Sequence, residues 1–183
     1  ASQLLKYTSW TQKRFIELLH ERSTVGGQRT ENTLLMPGIA LERIKADDLL
    51  RTRHGYRVNL ELRGAYEGLI SDASFLQLRA NAKFIHRFGE AGRVTARADL
   101  GSTLGDSTLD LPASLRFFAG GDNSVRGYAY KSLGPLDEDG EPQGGRHLLT
   151  ASLEYAHTVV GDDWWIAAFA DGGNAFDTDS VHL

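Results

Sequence analysis

The sequence predicts an all-β fold of about eight or nine antiparallel strands with one long loop, a pattern that suits a transmembrane β-barrel. Three observations predict it. Several segments alternate strictly between apolar residues and polar or charged ones, as in Tyr56–Arg63. The longest purely apolar run, Trp164–Ala170, falls far short of the ~18 residues of a membrane helix, whereas barrel strands need only ~9–11 residues with alternate ones facing lipid. A glycine-rich stretch, 119–145, is too long for an ordinary connection.

Strands are expected at 2–10, 13–23, 32–45, 55–70, 74–88, 92–104, 111–118, 146–158 and 163–173, several of them separated by glycine and acidic turns. Over 10–22, Phe15, Leu18, Leu19 and Arg22 have helical spacing. A short amphipathic helix competes there, and strand is preferred because the neighbours are strands. In 55–70, Tyr56, Val58, Leu60 and Leu62 oppose Arg57, Asn59, Glu61 and Arg63. In 74–88, Leu76, Leu78, Ala80 and Ala82 oppose Gln77, Arg79, Asn81 and Lys83. The pattern recurs with Val94, Ala96, Ala98 and Leu100, and again with Leu149, Ala151, Leu153 and Tyr155. A helix would scatter such a period-two pattern around its circumference. The polar faces carry full charges, which suits lipid on one side and water on the other. Alternation by itself leaves a soluble antiparallel sheet with one wet face equally open. Trp164 suits an interfacial girdle, whereas Trp165 has the parity of Asp171.

Composition excludes several classes. A formal net charge of −4 argues against a broad electrostatic grip on nucleic acid. The absence of cysteine removes disulfides, thiolate metal sites and a cysteine nucleophile. His20-Glu21 lacks the second histidine of a zincin helix, and Gly101-Ser102-Thr103-Leu104-Gly105 misplaces the serine of a nucleophile elbow. The histidines are scattered without ligand spacing. Asp137-Glu138-Asp139-Gly140 resembles the start of a calcium loop, but later ligands do not follow, and it reads as a solvated acidic tip. The expectation is no enzyme, no cofactor and no metal.

The run Leu115-Arg116-Phe117-Phe118-Ala119-Gly120-Gly121-Asp122-Asn123-Ser124-Val125-Arg126-Gly127-Tyr128 closely resembles the signature of the outer-membrane assembly and transport superfamily that includes BamA, TamA and the two-partner secretion transporters. Its core is Val125, Arg126, Gly127 and Tyr128. A second family motif, F-x-D-x-G, matches Phe169-Ala170-Asp171-Gly172-Gly173, and Ala151-Ser152-Leu153-Glu154-Tyr155 looks like the strand that supplies a further acidic partner. The resemblance is sharp over 112–176, and Tyr130–Pro135 is most similar to the TamA-like branch. It implies that the loop folds into the barrel, with its tip facing the lumen partners Glu154, Phe169, Asp171 and Gly173. It also implies a sixteen-stranded barrel in the bacterial outer membrane, preceded by POTRA domains. Such a barrel assists the insertion or translocation of autotransporter-like or other β-rich proteins, alongside a TamB-like periplasmic partner and the lipid bilayer, without nucleic acid. The competing class is a soluble β-sandwich or lipocalin-like binding module.

The chemistry of the motif fits. Arg126 presents a permanently charged planar fork, and Asp171 sits in an otherwise apolar strand where a carboxylate needs a partner. Phe169 shares the Asp171 face and could receive the guanidinium by cation–π contact. Glu154 shares a face with Thr150 and Ser152. Gly127 permits either a turn or a close approach to the wall. The contact either braces the loop statically or is remade during work. No charged-then-apolar leader and no POTRA-like stretch is seen, and the chain stops at Val181-His182-Leu183. The expectation is that 1–183 form one partial barrel domain, a C-terminal fragment without POTRA domains or last strands. With two open edges, it would form no working pore alone.

Overall fold

The computed structural model describes residues 10–25, 28–48, 51–68, 70–105, 111–160 and 164–177. Seven strands form one antiparallel sheet in sequence order. They are β1 (Thr11–Val25), β2 (Gln28–Ala46), β3 (His54–Ala65), β4 (Phe75–Phe88), β5 (Gly92–Gly105), β6 (His147–Val160) and β7 (Trp164–Phe176). Each strand pairs with its chain neighbour, which is the meander of an up-and-down barrel wall. No described helix is long and apolar enough to cross a membrane.

The register converts alternation into two faces. Leu62 lies opposite Leu78, Leu100 opposite Leu149, and Leu153 opposite Ala170. These leucines remain exposed, as does Ile166, so one face of the sheet is a continuous apolar surface. The other face carries Arg57 bonded to Glu42 at 2.6 Å, Arg63 bonded to Gln77 at 2.8 Å, and Asn81 bonded to Asp99. An apolar surface of this extent suits lipid, and the charged face suits a wet lumen. Trp164 projects outward, 71% exposed. Trp165 lies inward between the Arg87 and Arg93 guanidinium groups, at 5.7 and 5.3 Å.

Several expected boundaries change. The ambiguous stretch 10–22 is strand throughout its described length from Thr11, as β1 pairs with β2 over its whole run. The strand expected at 55–70 ends at Ala65, and the described residues between Ala65 and Phe75 form a loop. That loop closes the outer end of β2, where Leu35 N donates to Ser71 Oγ at 3.0 Å and Thr33 N to Asp72 Oδ2 at 2.6 Å. The β2–β3 ladder stops at Gly38–Arg63, and the next residue along β2 is Pro37, which has no N–H to give a ladder. The strand expected at 2–10 lies outside the described residues, apart from Trp10, which is not in a strand.

The strand expected at 111–118 does not exist. Ala113–Leu115 form a 3-10 turn after Pro112, and Phe117 makes only an isolated bridge to Gly145. The apolar run of this segment belongs to a loop that lies on the inner face. Leu111 and Leu115 are buried with Leu34, Met36, Ala73 and Phe75. Phe117 and Ala119 are buried with Leu148 and Ala175. Because β5 pairs directly with β6, the ladder has no place for another strand there. The described part of the long loop therefore runs from Leu111 to Arg146 and takes in 111–118 as well as 119–145.

Candidate functional site

The loop is fastened to the wall from its base to its tip. At the base, the buried Gln77 donates to Leu115 O and to Thr103 Oγ1, both at 2.8 Å. The buried Arg116 donates to Leu111 O at 2.9 and 3.0 Å and to Gln143 O at 3.2 Å, tying the two limbs together. The Phe117 ring lies where a Cβ on Gly101 would come within 2.5 Å of it, so glycine on β5 makes the seat for that ring. Ser114 Oγ donates to Glu21 Oε2 at 2.5 Å, which carries the strap across to β1.

Beyond Phe118 the chain closes a compact turn. Gly121 N donates to Tyr128 O at 3.1 Å and Ser124 N to Gly121 O at 3.0 Å. Gly127 has φ +90° with nothing near its Cβ position, so it serves the turn and not a close approach. Val125 is buried. This geometry aims Arg126 at the wall about 20 Å down β6, estimated from strand rise.

Arg126 uses its donors on one patch. Its Nε gives 2.6 Å to Asp171 Oδ2 and its Nη2 gives 2.8 Å to Asp171 Oδ1, a fork-to-fork pair. Its Nη1 gives 2.6 Å to Glu154 Oε2, its Nη2 also reaches Ser152 Oγ at 3.1 Å, and its backbone N–H donates to Asp171 Oδ2 at 3.0 Å. The guanidinium carbon sits 3.5 Å from the Phe169 ring centre. Side-chain exposure falls to 17% for Arg126, 23% for Glu154 and 2% for Asp171, so the charges are sequestered and mutually compensated. Hydrogen bonding to Asp171 pushes the Arg126 guanidinium further above its already high value, against the burial that lowers it.

The structure thus brings together Arg126, Glu154, Phe169 and Asp171. Gly173 and Tyr128 act through backbone alone. Gly173 has φ +138°, and a Cβ there would meet Leu149 O at 2.2 Å. Tyr128 contributes its carbonyl oxygen while its side chain is 55% exposed. Sequence reasoning did not single out Arg97 or Ser152 as site residues. Arg97 Nη2 donates to Ser152 Oγ at 3.2 Å, placing a second cation beside the cluster. Their inward parity on β5 and β6 was the available signal. The acidic tip is a closed turn in which Asp137 Oδ1 accepts the amides of Asp139 and Glu141.

A docked arginine tip on a meander wall narrows the family, and the comparison with family models decides it: residues 6–182 match the Omp85 superfamily domain. The chain belongs to the Omp85 superfamily. The fold agrees, being similar to the crystal structure of BamA from Haemophilus ducreyi lacking POTRA domains 1–3. That likeness has a TM-score of 0.69 at 20% sequence identity and covers 83% of this chain. The chain spans 32% of that BamA chain, so what is seen is part of an Omp85-type barrel.

Proposed function

We propose that this chain is part of the barrel of an outer-membrane protein-insertion or translocation factor, in which the Arg126 loop positions the inner wall beside β7. The observation that carries this reading is the set of five hydrogen bonds from Arg126 to Ser152, Glu154 and Asp171. A loop held this way couples the outer half of the lumen to the two last strands of the described sheet. Membership in the Omp85 superfamily supports a barrel of the bacterial outer membrane that works on β-rich outer-membrane substrates. The finer reading is a TamA-like branch acting with a TamB-like periplasmic partner on autotransporter-like substrates, supported by the loop context Tyr130–Pro135. Among the described residues there is one sheet and no second layer facing it, which disfavours a soluble sandwich.

The test is substrate assembly by the full-length protein in cells lacking their own copy. Arg126→Glu sets three carboxylates together and should be the most severe change. Asp171→Arg should also impair assembly. The double swap should restore it only in part, because Glu154 still faces the new carboxylate at 126. Normal assembly in both single variants would sink the proposed role of the loop. Failure of the protein to fractionate with the outer membrane would sink the barrel reading itself.

A further inference from the structure

The register brings two histidines together that the sequence separates widely. His54 on β3 lies directly opposite His86 on β4. Their Nδ1 atoms are 3.2 Å apart and their rings meet edge-on at 4.7 Å. Both have the parity of Tyr56 and Phe84, so both lie on the outer, apolar face, at the end of the sheet that carries the β2–β3 and β4–β5 connections. Phe84 stacks at 6.1 Å and Phe88 edge-on at 4.6 Å against His86, fixing its ring on a hydrophobic shelf.

We infer that His54 and His86 form a two-imidazole site for a divalent transition-metal ion of the Cu²⁺, Ni²⁺ or Zn²⁺ class. Imidazole suits these ions, with metal–nitrogen distances of ~2.0–2.1 Å for zinc. Two such bonds ending on nitrogens 3.2 Å apart subtend about 100°, between square-planar and tetrahedral. The pair is therefore already at chelating distance and needs no strand movement. Antiparallel pairing supplies the rigidity, and two Nδ1 atoms this close share a proton in one tautomer and, with both protons on Nε2, are both open to a cation. Asp47 in the adjoining turn is committed elsewhere, since its Oδ1 accepts the amides of Asp48, Arg53 and His54. Among the described residues no third ligand completes a cluster, so water or an external donor fills the other positions. A bound ion would staple β3 to β4 at the ends remote from the connection that joins them.

The experiment is a Cu²⁺ titration of the full-length protein in detergent, read by electron paramagnetic resonance. One saturable ion with two-nitrogen hyperfine structure is expected. His54→Ala and His86→Ala should each lose that signature and bind at least tenfold more weakly. His157→Ala, on the outer face of β6, should leave binding unchanged. His86→Gln, checked for native gel mobility, serves if alanine disturbs folding. Retention of the two-nitrogen signal in the His54 and His86 variants, or no such signal in the parent, would overturn the site and leave a cross-strand hydrogen bond only.

Discussion

Asp171 and Glu154 hold the same guanidinium but are not equivalent. Asp171 is almost fully enclosed and meets both the side chain and the backbone N–H of Arg126, whereas Glu154 takes one bond and is 23% exposed. Asp171→Asn should therefore weaken loop docking by about 1.5–3 kcal/mol, the range for hydrogen bonds to charged groups. Glu154→Gln should cost about 1 kcal/mol or less, because solvent screens it. Hydrogen exchange of the 119–145 amides in the full-length protein measures both, and equal effects would contradict the burial argument. Arg126→Lys should resemble Asp171→Asn, since an ammonium cannot form the planar fork. Asp47 carries a pH dependence. Burial alone would push its carboxyl up, but the amides of His54, Arg53 and Asp48 outweigh this and hold it below its ordinary value. A depressed carboxyl contributes stability above its unfolded pKa and loses it as pH falls through the folded value. The β2–β3 turn should thus loosen only in acid, and Asp47→Asn should remove that acid step in exchange rates of Arg53 and His54.

Elements follow the alternation where a strand has partners on both sides, and depart from it where the loop intervenes. The strands β3 to β6 were readable because polar and charged residues alternate with apolar ones, and a one-residue slip would put that polar set into lipid. Residues 111–118 misled for a related reason. Their apolar content signals burial but not the partner, and here burial is beneath a strap and not in a ladder. The strap's anchor makes a prediction at this scale. Phe117→Ala should release the loop base by about 3–5 kcal/mol, as for other buried aromatics cut to alanine. Gly101→Val should do likewise by filling the seat of the ring. Limited proteolysis within 119–145 measures both, and unchanged cleavage would contradict the anchoring role.

At the scale of the molecule, the strap touches the wall from Glu21 on β1 to Asp171 on β7, spanning the charged inner face of the sheet. The sheet itself is not closed on the described residues, because β1 and β7 each have a single strand neighbour. Unpaired edge groups cannot be satisfied in hydrocarbon. The 183-residue chain expressed alone should therefore need denaturant or detergent for extraction and should give no stepwise conductance in planar bilayers. The full-length protein should show the shifted gel mobility of a closed barrel. Discrete channels from the chain alone would contradict this.

Period-two patterning by itself determined that the chain is a sheet with one apolar and one charged face, because side-chain direction in a strand depends only on parity. The resemblance of the two motifs, and of the strand between them, to a known family pointed to Arg126, Glu154, Phe169 and Asp171, and the inward parity of the last three was legible. Tertiary structure alone decided which residues meet across long separations. It set His54 against His86, seated Phe117 on Gly101, and added Ser152 to the partners of Arg126. Such meetings depend on register, and register is a property of strand pairs and of the loop lying across them, which no single segment carries.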